Sequence, residues 1–168
     1  LDVCLKHEIH AVNDIAGFSS PAYVKRVTEA GLPAIVMASH EQPGDAVGVV
    51  ATHTALDTVM HRCESAGIDN YVLDPGIGLW TPLRSVDDDW ELCRHFDEFL
   101  RYGRPLLAAV SRKSFIGNLL GREPQDRLSG SLAVTMILLR KGAALVRTHD
   151  VQPTVDIIRV FERMVKRR

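Results

Sequence analysis

Five short apolar runs, Ile9 to Val12, Pro33 to Met37, Tyr71 to Leu73, Leu106 to Val110 and Ala143 to Val146, set the tightest limit on how this chain can fold. Each is rich in Val, Ile, Leu or Ala without strict polar alternation, the pattern of strands buried on both faces of a parallel sheet. Helical patterns fill the intervals. Tyr23, Val24 and Val27 mark one; Val86, Trp90, Cys93 and Leu100 another; Leu128, Leu132, Met136 and Leu139 a third; Val155, Ile158 and Phe161 the last. The result is a βα unit repeated five times. The strand-end residues Asn13, Met37, Asp74, Ser111 and Arg147 fall 24, 37, 37 and 36 positions apart. That is close to the ~31 residues per unit of an eight-unit barrel. The expected fold class is α/β, a TIM-barrel type repeat with about five of eight βα units, and 168 residues predict one domain over 1–168.

Local signals agree. Ser20-Pro21 supplies a helix N-cap followed by proline, and Ser85 with Asp88 forms a capping box. Asp87-Asp88-Asp89 then reads as a solvated helix start rather than a metal site. Gly31, Gly67, Gly103 and Gly142 fall between a helix and the next strand, where a left-handed residue is needed. Leu1 to His7 reads as the last turns of a helix without an N-cap, so the chain is expected to begin within an element, as a fragment.

Composition narrows the function. Twenty Lys and Arg against twenty-one Asp and Glu leave a net charge of −1, and the only basic block is Lys166-Arg167-Arg168. Nucleic acid is therefore not the expected partner. The apolar runs are far shorter than the ~20 residues that span a bilayer. Three cysteines, Cys4, Cys63 and Cys93, form no CxxC pair, which argues against a disulfide framework or a zinc cluster and for a reducing, cytoplasmic setting. His53, Asp57 and His61 share a helix face at four-residue spacing, but a surface face is the ordinary explanation.

Ligands in parallel α/β folds bind at the carboxyl ends of the strands, and four of these ends are polar. The first is Asn13-Asp14-Ile15-Ala16-Gly17, which by itself could simply shape a turn. Another is Asp74-Pro75-Gly76-Ile77-Gly78, where a carboxylate can accept two hydrogen bonds from an N–C–N edge and the glycines admit a ligand close to the backbone. A third, Ser111-Arg112-Lys113-Ser114-Phe115-Ile116-Gly117, sets two cations at a strand exit; a solvated basic loop is the plain alternative. The last is Arg147-Thr148-His149-Asp150-Val151, in which Arg147 and His149, two apart, would on a straight strand converge on one anion. An Arg147–Asp150 ion pair with His149 on the rim is the competing reading.

These stretches, with Gly130-Ser131-Leu132-Ala133, resemble the dihydropteroate synthase family in order and spacing across essentially the whole chain, matching the last five of that family's eight units. The resemblance implies a C-terminal portion of the barrel. It implies a transferase of folate biosynthesis that condenses 6-hydroxymethyl-7,8-dihydropterin diphosphate with p-aminobenzoate and releases diphosphate. Asn13 and Asp74 would bind the pterin, Asp74 at its 2-amino and N3 edge and Lys113 at the opposite edge. Met37 and Gly78 would line the pocket, Arg112 would stack on the ring and Ser111 would lie near p-aminobenzoate. Arg147 and His149 would hold the diphosphate, and with Lys113 they are the expected catalytic residues. Mg2+ and a homodimer through the last helices are implied as well, with no metal ligand assigned in this chain. The family's first three units would supply mobile loops and further ligands, so the 168 residues alone are expected to be inactive. Two departures stand out: Met37 continues into Ala38-Ser39-His40 where bacterial members have Met-His-Met, and Leu79-Trp80 replaces the usual aromatic and Lys. A pterin-binding methyltransferase and a non-catalytic pterin-binding module are the alternatives.

Overall fold

A computed structural model describes residues 1–165; the basic run Lys166-Arg167-Arg168 lies outside them. Five parallel strands follow one another: β1 (Val12–Asp14), β2 (Ala34–Met37), β3 (Tyr71–Asp74), β4 (Leu107–Ala108) and β5 (Leu145–Val146). β1 pairs with β2, β2 with β3 and β4 with β5, all parallel, and a single parallel bridge from Leu73 to Leu106 joins β3 to β4. The helices between them are α1 (Pro21–Glu29), α2 (Gly48–Ser65), α3 (Val86–Arg94), α4 (Ser114–Leu120) and α5 (Leu128–Arg140), and α6 (Val151–Val165) follows β5. Parallel strands in sequential order with helical crossovers make a partial (β/α) barrel.

Strand alternation decides which side chains see a ligand. Val12, Ala34, Val36, Leu73, Leu106, Ala108 and Val110 belong to the main core under the helices, with Leu56, Val59, Phe96, Phe99 and Leu138. Their neighbours Asn13, Met37, Asp74 and Leu107 point to the opposite face, because successive side chains of a strand alternate. Met37 and Asp74 are directly paired in the register. Leu145, on that same second face, is 39% exposed, so this face is open at β5.

Four expectations are corrected. Leu1 to His7 forms only a single 3-10 turn at Cys4–Lys6, since no buried residue anchors it. The first strand is Val12–Asp14 and shares only Val12 with the Ile9 to Val12 run, because the ladder to β2 is made by Val12, Asn13 and Asp14. The helix begun at Val86 ends at Arg94, and Phe96–Tyr102 is a separate 3-10 segment that leaves Leu100 45% exposed. In α5 the buried stripe is Ser131, Val134, Thr135 and Leu138, one position out of phase with the leucine pattern, because two small hydroxyl residues face the sheet. The capping box at Ser85 and Asp88 and the Ser20 cap form as read.

Candidate active site

Among the charged residues on or directly after the strands, Asp74 is the best buried, 2% exposed. Its Oδ1 accepts the Gly76 N–H at 2.8 Å and its Oδ2 accepts from Arg147 Nη2 at 3.2 Å. Burial pushes its carboxyl above the usual range, opposed by Arg147, the Gly76 N–H and Lys113. Arg147 reaches it because its own N–H donates to Ala108 O, extending the ladder past β5, and the guanidinium then crosses the sheet end to Asn13 Oδ1 at 2.7 Å. Residues 134 positions apart, Asn13 and Arg147, therefore meet over Asp74.

Arg147 and His149 do not follow the straight-strand geometry expected for them. The strand stops at Val146, and His149 turns instead to Ser111, whose Oγ accepts its backbone N–H at 3.1 Å and lies 3.0 Å from its Nδ1. The competing Arg147–Asp150 pair does not form either: Asp150 takes a bidentate contact from Arg112, at 3.0 Å from Nε and 2.6 Å from Nη2. Arg112 holds a left-handed backbone, φ 57°, which a non-glycine residue adopts at a cost of ~1–3 kcal/mol. Its N–H donates to Ser131 Oγ and its carbonyl accepts from Arg127 Nη1, both at 2.9 Å. Three side chains from α5, its cap and the last loop thus fix the one residue expected to stack on a flat ligand.

Lys113 is half-buried, its ammonium 4.7 Å from the centre of the Trp80 ring. Burial lowers its pKa, Asp74 and Asp89 hold it up, and Arg147 and Arg84 add to the lowering. Gly78 makes room for it: a Cβ there would lie 2.6 Å from Lys113 Nζ, and its φ of 142° is glycine territory. Met37, 1% exposed, packs against Gly76 from below the loop.

Every sequence-predicted site residue lies at this end of the sheet: Asn13, Met37, Asp74, Gly78, Lys113 and Arg147 form one group, and Ser111, Arg112 and His149 form another beside it. A cavity of about 660 Å³ opens elsewhere, on the outside between α1 and α2, lined by Phe18, Val24, Lys25 and Arg62 and by none of these residues. Four contributors escaped the sequence. Asp89 is fully buried rather than solvated, accepting the Gly78 N–H at 2.7 Å, and Arg84 is buried beside it. The signal was present, since Asp89 stands three and four residues before Leu92 and Cys93, on the apolar face of α3. Ser131 and Arg127, which hold Arg112, carried no sequence signal of that role.

Comparison with known proteins places this geometry. Residues 1–149 match the family model described as pterin binding enzyme. The dihydropteroate synthase of Escherichia coli (strain K12) is 36% identical over 163 residues, covering 91% of this chain and 56% of that enzyme. A dihydropteroate synthase from Coxiella burnetii in complex with pteroic acid superposes with a TM-score of 0.81 at 28% identity, covering 90% of this chain and 58% of that one. The Xanthomonas albilineans dihydropteroate synthase with 4-aminobenzoic acid gives 0.82 at 33% identity, covering 93% and 57%. The chain thus spans a little over half the length of its relatives. Because the family model matches residues 1–149, well over half of the chain, the chain belongs to the pterin binding enzymes.

Proposed function

We propose that this chain is the pterin- and diphosphate-holding part of a dihydropteroate synthase, and that residues 1–168 form one pterin-binding domain of it. The observation that carries this is the Asp74–Arg147 contact. A planar guanidinium donates to a buried strand-end carboxylate there, and the N3–H and 2-amino edge of a pterin offers the same donor pattern. On binding, the pterin edge takes over Asp74, and Arg147, 41% exposed, turns to the diphosphate. Lys113 donates to the opposite edge, Arg112 stacks on the ring, Asn13, Met37 and Gly78 shape the pocket, and Ser111 lies by the p-aminobenzoate. The names of the matched relatives, and the pteroic and 4-aminobenzoic acids held by two of them, support this reading over a methyltransferase.

In the reaction the aromatic amine nitrogen attacks the pterin methylene carbon. The C–N bond forms as the C–O bond to diphosphate breaks, the electron pair leaves with the diphosphate, and the amine proton goes to solvent. Arg147 and His149 stabilise the leaving charge while Asp74, Lys113 and Arg112 hold the pterin in line, so the rate comes from positioning and electrostatics with no covalent enzyme intermediate.

Mg2+ is proposed for the whole enzyme on the family resemblance. Among the described residues no group of three or more His, Cys, Asp or Glu is placed to hold a metal ion. A homodimer contact is proposed on α5 and α6, where Met136, Ile137, Phe161, Met164 and Val165 line an apolar groove and Met164 is 79% exposed. The setting is proposed to be cytoplasmic; no helix of the described residues is long and apolar enough to cross a membrane.

The test is calorimetric titration of the chain with 6-hydroxymethylpterin and with pyrophosphate, then an assay of dihydropteroate formation with the family's first three units supplied in trans. Pterin binding and product formed only with the added units are expected, because β1 and β5 each lack a second strand partner among the described residues. Absence of pterin binding and of product in both arrangements overturns the proposal.

A further inference from the structure

One buried ion pair has no part in the roles above. The Arg84 and Asp89 side chains are 1% and 0% exposed, with Arg84 Nη2 3.4 Å from Asp89 Oδ1. An apolar pair of similar volume would fill this space without stripping two charges of water. The atoms of the pair that face the Gly76–Gly78 turn are engaged with it: Asp89 Oδ1 accepts the Gly78 N–H at 2.7 Å, and Arg84 Nη1 donates to Gly76 O at 2.9 Å. Arg84 Nε and Asp89 Oδ2 have no hydrogen-bond partner among the described residues. Gly76 O also accepts from Trp80 Nε1 at 2.9 Å.

This turn connects the two groups expected at opposite edges of the pterin. At one end the Gly76 N–H donates to Asp74 Oδ1. At the other, Gly78 abuts Lys113 Nζ, which stands over the Trp80 ring. Fixing the peptides on either side of Ile77 therefore fixes Lys113 relative to Asp74.

We propose that Arg84 and Asp89 are positioning residues for pterin recognition, an ion-pair clamp that holds the Gly76–Gly78 turn so that Asp74 and Lys113 stand at the separation the two ring edges require. The pair touches no ligand and acts through the turn. The inference rests on the pterin reading for its ligand, and the clamp itself is testable without one.

The variants are Asp89→Asn, Arg84→Met, and the double Arg84→Met/Asp89→Leu, which removes both charges and guards against loss of fold from a lone buried ion. Each is titrated with 6-hydroxymethylpterin and with pyrophosphate, and Lys113 is followed by NMR in unliganded protein carrying isotope-labelled lysine. The groups facing Lys113 are Asp74, Asp89, Arg147 and Arg84. Pterin affinity should fall about tenfold or more in all three variants, the size expected when a positioned group moves by a fraction of an ångström. Pyrophosphate affinity should not change. Loss of charge alone moves the Lys113 titration down in Asp89→Asn, which removes a negative neighbour, and up in Arg84→Met, which removes a positive one. Release of the turn admits water and moves Lys113 upward in addition, and the double variant, in which the two charge effects oppose each other, should show that upward movement together with a displaced Lys113 signal. A folded double variant with wild-type pterin affinity, or one whose Lys113 signal and titration match the wild type, overturns the clamp. If the unmodified chain binds no pterin, the functional proposal falls, and a displaced Lys113 signal with an upward titration in the double variant still upholds the clamp.

Discussion

Replacing Asp74 by Asn separates pterin recognition from anion recognition. The carboxylate uses both oxygens in a buried site, one on the Gly76 N–H and one on Arg147, the position assigned to the pterin edge. Asparagine keeps the shape but has one acceptor. If its oxygen serves Gly76, its amide N–H faces the donors of Arg147 or the pterin; if it is flipped, it faces the Gly76 N–H. A buried donor set against a donor costs ~1–3 kcal/mol, which is about 5- to 150-fold in pterin Kd. Pyrophosphate has no contact with Asp74 in this scheme, and Arg147 loses a competing carboxylate, so its affinity should hold or rise. Calorimetric titration with 6-hydroxymethylpterin and pyrophosphate reads both. Equal losses for the two ligands refute the reasoning. The pH dependence adds a second check. Burial, the largest influence on Asp74, raises its pKa, so wild-type pterin affinity should fall on acidification sooner than an ordinary Asp would cause, and Asp74→Asn should lack that fall. Stability has the opposite sign: with the folded value above the unfolded one, the contribution from Asp74 is present in acid and is lost as pH rises through the folded value.

Arg147→Ala should abolish pyrophosphate binding while leaving simple pterins bound, since charge-assisted contacts dominate anion affinity; unchanged pyrophosphate titration would exclude Arg147 from that role. Ser85→Ala removes the hydroxyl that receives the Asp88 N–H and donates to Asp88 Oδ2, and should lower unfolding free energy by ~1 kcal/mol in urea denaturation with no change in ligand binding. A disulfide reagent at neutral pH should label Cys4 alone, because Cys63 and Cys93 are buried with thiols pushed up to about 12; mass spectrometry finding rapid labelling of either would contradict their packing.

Much of this protein is written locally. Val and Ile runs bounded by capped helices specify five βα units, because burial on both strand faces and the helix caps are short-range requirements met by neighbouring residues. For the same reason the strand ends, and with them Asn13, Met37, Asp74, Gly78, Ser111, Arg112, Lys113, Arg147 and His149, could be located from the order of residues alone. Which charged group meets which could not. Arg147 and Asp150 are near in sequence, yet Asp150 pairs with Arg112 and Arg147 pairs with Asp74, 73 positions away. Asp89 sits in an acidic run that reads as solvated, and only the packing of α3 under the Gly76–Gly78 turn buries it against Arg84. Helix and strand formation follows from contacts a few residues apart, whereas the partner of a long charged side chain is set by where the parallel register brings distant strand ends together. Tertiary structure alone determines that, because charge pairing acts across space and leaves no periodic trace in the sequence.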